Sequence, residues 1–306
     1  MDVSIVIVNY NTRDLLRNCL NSIYEKTKSL DFEVIVSDNG SVDGSVEMIR
    51  SEFPQVMVIE NNANLGFGTA NNRGTRRACG KYIFFLNSDT ILLNNAVKLF
   101  FDYWESSSDR ENIGAMGANL LDKNGNISHS GESFPSLNTA IKDTFLRVIS
   151  CAVRTFLYFV FRKPIARIPD QNESRLPHYG EIDQVVGADL FMLNNEDALF
   201  DENIFLYCEE TELEYRLYKK NKKRLLIDGP QIVHLEGAST KKQLDKVRYF
   251  KSFSVINFNL HRVYFFKKHF KSPFRVFVLK LCLFMLWMNP LIFGETKKYF
   301  GKLFKI

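Results

Sequence analysis

The sequence predicts an α/β fold built on a mostly parallel central sheet with flanking helices, and three observations predict it. Short apolar runs alternate with helix-length segments through the first hundred residues, the pattern of βαβ units joined by right-handed crossovers. The first run, Val3–Asn9, is apolar without alternation, as a strand covered on both faces must be. Asp38 and Asp89 each close such a run, which puts two carboxylates on the rim where open α/β sheets bind ligands.

The elements follow in order. After Val3–Asn9, residues 12–24 carry Leu15, Leu16, Cys19, Leu20 and Ile23 at helical spacing, with Asn11 and Thr12 as cap candidates. Residues 32–37 form the second strand, followed by a turn-rich stretch and a helix through Phe53. Residues 56–60 are the third strand, 61–68 a loop, 69–79 a helix and 81–86 the fourth strand. Beyond Asp89 the spacing predicts a helix over 94–104, a strand over 113–119 and a loop or hairpin around Lys123-Asn124-Gly125. A strand over 185–193, a helix over 210–221, a strand over 223–227 and a loop over 229–240 carrying His234 complete this part. Residues 245–271 read as helical, and Pro273 interrupts before a last apolar stretch, 274–293.

With 306 residues and 45% hydrophobic composition, the chain suffices for one large domain or one domain with an appendage. Its five cysteines show no CxxC spacing, so neither a zinc site nor a disulfide framework is expected, and a reducing cytoplasm suits them. The N-terminus has no basic leader region before its first strand, so no signal peptide is expected. Residues 240–306 hold 15 Lys/Arg against 2 Asp/Glu, leaving 25 basic and 33 acidic residues elsewhere. A basic, Phe-rich tail on an acidic body calls for an anionic surface; no nucleic-acid motif accompanies it, so a membrane surface is expected and nucleic acid is not. Arg275, Lys280 and Asn289-Pro290 interrupt 274–293, which reads as an interfacial amphipathic helix, and 141–168 has the same character. Packing of both on the catalytic core is the alternative. The expected organisation is a catalytic domain over 1–240 and a basic, aromatic helical region over 241–306, membrane-associating.

Four groups of residues could carry chemistry. Asp89, after Asn87-Ser88, suits a hard divalent cation on a diphosphate, the alternative being a helix cap. Asp38 can accept from a base N–H or a ribose hydroxyl, unless it only closes an Asx-turn. Glu209 and Glu210 follow the apolar Phe205-Leu206-Tyr207, which would desolvate them toward general-base range; acids in a helix first turn are also favoured by the macrodipole. His234 ends a short apolar stretch and is a metal-ligand candidate in that company. Gly66 and Gly68, in an Asn-rich loop, allow close backbone approach. Neither G-x-G-x-x-G after the first strand nor G-x-x-x-x-G-K-[ST] is present, which argues against a Rossmann dehydrogenase and a P-loop NTPase.

SIVIVNYN, SDNGSVDGS, NLGFGTANNRG, FFLNSDT, GADLFML, DENIFLYCEETEL and VHLEGAS, in that order between residue 3 and about 240, resemble the family 2 glycosyltransferases of GT-A fold, in the rhamnosyltransferase-like branch. The resemblance implies that Asp38 binds the base of a sugar nucleotide, with Val8 and Tyr10 lining its pocket. Asn87-Ser88-Asp89 would be the diphosphate motif, Asn87 and Ser88 on the nucleotide and Asp89 on Mg²⁺ or Mn²⁺. His234 would join the metal. The family's Glu-Asp-x-Asp appears as Glu209-Glu210-Thr211-Glu212, so Glu210 falls at the catalytic base, one methylene longer than the family's Asp. The implied activity is inverting, metal-dependent transfer from a dTDP- or UDP-linked sugar, rhamnose first, to a saccharide acceptor in surface polysaccharide assembly. A polyprenyl-diphosphate-linked acceptor at the cytoplasmic face of the inner membrane would fit the basic tail. A sugar-nucleotide nucleotidyltransferase and a catalytically silent membrane scaffold are the competing readings. NYNTRDLL lacks the Gly-rich basic loop of the first, and intact Asp38, Asp89, Glu210 and His234 argue against the second.

Overall fold

The computed structural model describes residues 1–162, 177–235 and 247–306. They fall into two compact units, one of Met1–Phe134, Glu173–Phe205 and Glu209–Thr240, the other of Pro135–Asn172, Leu206–Cys208 and Lys241–Ile306. Residues 135–162, expected within a continuous 1–240 domain, group with the C-terminal residues, and 163–168 of the expected 141–168 segment lie outside the described residues.

The strands are β1 (Val3–Asn9), β2 (Phe32–Asp38), β3 (Met57–Glu60), β4 (Tyr82–Asn87), β5 (Thr90–Leu92), β6 (Ile113–Ala118), β7 (Gly131–Glu132), β8 (Gly180–Ile182), β9 (Gln184–Val185), β10 (Asp189–Leu193), β11 (Lys223–Ile227) and β12 (Ile232–His234). The helices of the first unit are α1 (Arg13–Lys26), α2 (Ser45–Glu52), α3 (Phe67–Thr75), α4 (Ala96–Ser106) and α6 (Glu209–Lys219); α5 (Leu137–Phe161), α7 (Phe253–His269) and α8 (Pro273–Trp287) belong to the second. Eight strands form the main sheet in the order β3-β2-β1-β4-β10-β6-β11-β8. Only β10 and β8 run against the rest. Burial on both faces is what makes the strands apolar throughout. Ile5, Ile7, Phe84 and Leu86 pack with Leu16 and Leu20 of α1 and Phe100 of α4, whereas Val6, Ile83 and Phe85 pack with Leu213 and Leu217 of α6. The connections leave β1 on one side toward β2 and on the other toward β4, so a topological switch point opens at its carboxyl end.

Four elements differ from expectation. The strand expected over 185–193 is two short ones, because the Val186 N–H donates to Ser130 O and leaves the ladder. Within the expected loop over 229–240, Ile232–His234 pairs antiparallel with Thr90–Leu92; residues 236–240 lie outside the described residues. Pro273 starts α8 rather than interrupting a helix, since its missing N–H is no loss at the first position. The helix then stops at Trp287, three residues before Pro290, short of the expected 293. The 245–271 helix is a short 3₁₀ turn, Arg248–Lys251, followed by α7, with 245–246 outside the described residues.

Gly66 opens α3 at φ +86, and a Cβ there would stand 2.1 Å from the Phe205 carbonyl oxygen, which itself accepts the Phe67 N–H at 2.9 Å. Gly125 has a similar φ of +82 but nothing within 4 Å. Gly66→Ala is expected to cost about 3 kcal/mol or more, through backbone collision added to left-handed strain. Gly125→Ala should cost about 1–2 kcal/mol. Denaturant midpoints of the two variants measure the difference; equal losses would mean that the Phe205 contact is not maintained in solution.

Candidate active site

The rim of the sheet is built from β1 outward. Its parallel register sets Asn9 beside Asp38 on one side and Val8 beside Asn87 on the other. The Asn9 amide Nδ2 donates to Asp38 Oδ2 (2.7 Å) and to Ser41 Oγ (2.9 Å), while its Oδ1 accepts the Thr12 hydroxyl (2.7 Å). Thr12, expected only as a cap, makes no capping bond; its Oγ1 lies 3.0 Å from Ser88 Oγ. A polar chain, buried at Asp38 and Asn9 and half-buried at Thr12 and Ser88, therefore runs Asp38–Asn9–Thr12–Ser88. Val8 is half-buried within β1, and Tyr10 is exposed just beyond its end.

Asp38 is buried, and four donors occupy its carboxylate. The Gly40 and Ser41 N–H groups reach Oδ1, and Asn9 Nδ2 and the Ser41 hydroxyl (2.6 Å) reach Oδ2. This is the Asx-turn arrangement. A nucleobase N–H reaches Asp38 only if the Ser41 hydroxyl turns aside.

Asp89 meets His234 because β12 pairs with β5, the strand that begins one residue after Asp89. His234 Nε2 lies 3.3 Å from Asp89 Oδ1 and 3.5 Å from Asn87 Nδ2, and the Leu235 N–H donates to the Asp89 carbonyl. Asp89 keeps some solvent contact, whereas His234 Nδ1 is buried with no partner among the described residues. Among those residues no three His, Cys, Asp or Glu side chains cluster as a metal cage. Asp89 and His234 offer one oxygen and one nitrogen donor side by side, a set that would suit a divalent cation drawing its remaining ligands from outside these two residues.

Glu210 stands at the start of α6, and the chain enters that helix through Tyr207 and Cys208, both left-handed (φ 66 and 70). Such a non-glycine pair is strained by about 1–3 kcal/mol per residue and fixes the direction in which the first turn presents its acids. Gly187 lies against the Glu210 side chain, where a Cβ would be 3.4–3.6 Å from Cβ, Cγ and Cδ. The next residue, Ala188, accepts the Asn87 N–H at 3.0 Å. The pair Gly187-Ala188 therefore ties the Glu210 side chain to the strand end that carries Asn87, Ser88 and Asp89. Burial pushes Glu210 up to about 7, and the Glu132 carboxylate adds to it. Burial likewise raises Glu209, Glu214 and Asp189 well above the carboxylate range. Glu214 Oε2 accepts the Val185 N–H and Asp189 Oδ2 the Ala118 N–H, and the other oxygen of each finds no partner among the described residues. Glu212 pairs with Arg216 at 2.9 Å and serves the helix, not the rim. A cleft of about 500 Å³ adjoins the Glu210 side, lined by Glu132, Ser133, His178, Glu181, Ile182, Asp183 and Arg224. Arg224 forms its wall, stacked on Phe134 and Tyr218.

Asn9, Ser41 and Gly187 join the site without a role of their own assigned from the sequence, and Thr12 enters it as a link to Ser88 rather than as the expected cap. Asn9 was signalled only as a polar residue closing an apolar strand beside Tyr10.

The sequence profile of Glycosyl transferase family 2 matches residues 4–167, more than half of the chain. The chain belongs to this family. Over 121 residues it is 31% identical to the poly(ribitol-phosphate) beta-glucosyltransferase of Bacillus spizizenii, a match covering 38% of this chain and 19% of that protein. Over 115 residues it is 33% identical to the abequosyltransferase RfbV of Salmonella typhimurium, covering 36% and 34%. The chain thus spans about a fifth to a third of the length of these relatives. In three dimensions it is similar to the mannosyltransferase PcManGT of Pyrobaculum calidifontis, solved with GDP-Man and Mn²⁺, with a TM-score of 0.55 at 14% identity over 97% of this chain and 73% of that one. The fold is therefore the GT-A fold, as the sequence motifs implied.

Glu214 and Asp189 hold protons in the folded chain at pH values where the unfolded chain has lost them. Stability therefore falls as pH rises from the ordinary carboxylate range through their raised values. Glu214→Gln keeps an acceptor for the Val185 N–H and removes the ionisation. Its thermal stability relative to wild type should grow between pH 5 and pH 8, reaching about 1 kcal/mol or more. A loss of stability at both ends of that range would mean that Glu214 is held as a carboxylate.

Proposed function

We propose that the chain transfers a glycosyl group, with inversion, from a nucleoside-diphosphate sugar to a saccharide hydroxyl during surface glycopolymer assembly. The observation that carries this reading is the Gly187-Ala188 link between Glu210 and the strand end bearing Asp89 and His234. It connects a carboxyl of raised proton affinity to the strand end that leads into the Asp89–His234 pair, which supports transfer from a diphosphate leaving group. Relatives named for poly(ribitol-phosphate) glucosylation and abequose transfer support a glycopolymer acceptor. We take dTDP-rhamnose as the first donor to test, with UDP-linked sugars next.

Asn87 and Ser88 face the diphosphate in this reading, Val8 and Tyr10 the base, and Asp38 holds the turn that shapes the base pocket. Asp89 and His234 would hold Mg²⁺ or Mn²⁺, whose charge stabilises the departing diphosphate. Glu210 takes the proton of the acceptor hydroxyl as that oxygen bonds to the anomeric carbon; the bond from carbon to the diphosphate oxygen breaks, and its electron pair leaves with the nucleotide. The Glu132–Arg224 cleft, on the Glu210 side, receives the acceptor saccharide. The basic C-terminal residues hold the chain on the cytoplasmic face of a membrane, where a polyprenyl-diphosphate-linked acceptor would be presented.

Calorimetric titration with dTDP and UDP, each with and without Mn²⁺, tests the donor site. Binding is expected to depend on Mn²⁺ in wild type and to disappear in Asp89→Ala; no binding of either nucleotide under any condition would overturn the reading. Glu210→Gln should keep nucleotide affinity and lower kcat by about 10²–10⁴-fold, assayed with a glycolipid-containing membrane extract as acceptor. Because the base must be ionised, wild-type activity should rise with pH through about 7. A flat profile over that interval would remove Glu210 from the proton-transfer role.

A further inference from the structure

We infer that α5 lies in the plane of an anionic membrane with one face in the acyl region, and that it supplies the hydrophobic part of the attachment. This rests on the membrane attachment proposed above and assigns it to a helix inserted within the catalytic sequence. The pattern of α5 is inside out. Leu137 is buried in its first turn, but beyond that the buried positions are small or hydroxylic, Ala140, Thr144, Cys151 and Thr155, while Phe145, Ile149, Val153, Phe156 and Val160 are each about half exposed, between 47% and 58%. Both sets recur at helical spacing on opposite faces, the reverse of a helix that packs its apolar face inward and meets water with the other. The polar inner face is satisfied within the unit: Asn289 Nδ2 donates to Thr155 Oγ1 (2.8 Å), Arg262 donates to Thr144 Oγ1 (3.3 Å), and Thr144 donates to Ala140 O (2.7 Å). Interhelical polar contacts around small residues are the packing of helices whose outer faces meet lipid.

α8 packs along α5 and repeats the exposed stripe with Phe274, Phe277, Leu281, Met285 and Met288. At 25 residues and mean hydropathy 1.5, α5 is the one described helix long and apolar enough to cross a bilayer. The in-plane orientation is nevertheless the one that the charges allow. Arg147 and Arg154, seven residues apart, fall on the side of the helix turned away from the stripe, where Arg147 lies over the Phe250 ring, whereas crossing would carry Arg154, and Lys280 of α8, into hydrocarbon. Exposed Lys267, Lys268, Lys271 and Arg275, around the α7–α8 junction, match anionic headgroups.

The test is flotation of the full chain with vesicles of phosphatidylcholine alone or mixed with phosphatidylglycerol. Wild type is compared with I149D/F156D and with L99D/Y103D, the same charge change at exposed positions of α4. Wild type and L99D/Y103D should float with the anionic vesicles, and I149D/F156D should partition at least about tenfold less while keeping its circular-dichroism melt. Undiminished flotation of I149D/F156D would overturn the role of α5 and leave membrane attachment to the basic residues. Absence of wild-type flotation would overturn attachment itself, while Mn²⁺-dependent nucleotide binding still reports separately on the transferase reading. Wild-type dimers in light scattering that dissociate in I149D/F156D, without flotation of wild type, would assign the face to a second copy of the chain and overturn the proposal.

Discussion

The site depends on the register of one strand. Val3–Asn9 is buried on both faces, so it cannot slip by a residue without exchanging Ile5 and Ile7 for Val6 on a packed face. That constraint fixes Asn9 against Asp38 and Val8 against Asn87, bringing two strand ends far apart in sequence to one rim. The Asn9 amide then acts as a joint: one side chain satisfies Asp38, Ser41 and Thr12, and Thr12 hands the connection on to Ser88. In a buried setting each of these groups would be costly if left unpaired, which makes the arrangement rigid as well as specific.

On the other side of the rim the economy of charge is reversed. Among the described residues Glu209, Glu214 and Asp189 are buried without an ion-pair partner, and burial raises their proton affinity, the Arg224 charge only partly opposing it at Glu214. A neutral carboxyl costs far less to bury than an ion. The surroundings that disfavour charge on Glu214 and Asp189 also hold Glu210 near neutrality, where a carboxyl can gain and lose a proton at working pH. The pH-dependent loss of stability from Glu214 and Asp189 and the raised proton affinity of Glu210 thus have one kind of cause, desolvation.

The second unit follows a different rule. Its helix α5 has hydroxyls and a thiol where a soluble helix has leucines, and phenylalanines where it has lysines. Hydrophobic burial against water would not by itself choose this orientation. Interhelical hydrogen bonds from Asn289 and Arg262 tie down its inner face, and the larger apolar side chains are left on the outer one.

The sequence alone determined the longer strands β1–β4, β6 and β11, since apolar runs bounded by turn residues depend only on local pattern. β11 was read to the residue, and the ends at Asp38 and Asn87-Ser88-Asp89 placed the rim before any pairing was known. The acid doublet at the start of a helix was legible for the same reason. Only the tertiary structure decided what these residues meet. His234 reaches Asp89 through a three-residue strand that reads as loop, because its partner β5 is remote in sequence and too short to leave a period. The Asn9 bond to Asp38, the seat of Glu210 against Gly187 and the raised proton affinity of Glu214 arise from burial and contacts between distant segments, whereas the other three donors on Asp38 form the local Asx-turn that the sequence already allowed. The grouping of α5 with the C-terminal helices was hidden likewise. Composition records how apolar a helix is, whereas which of its faces is covered depends on partners that the chain supplies more than a hundred residues later.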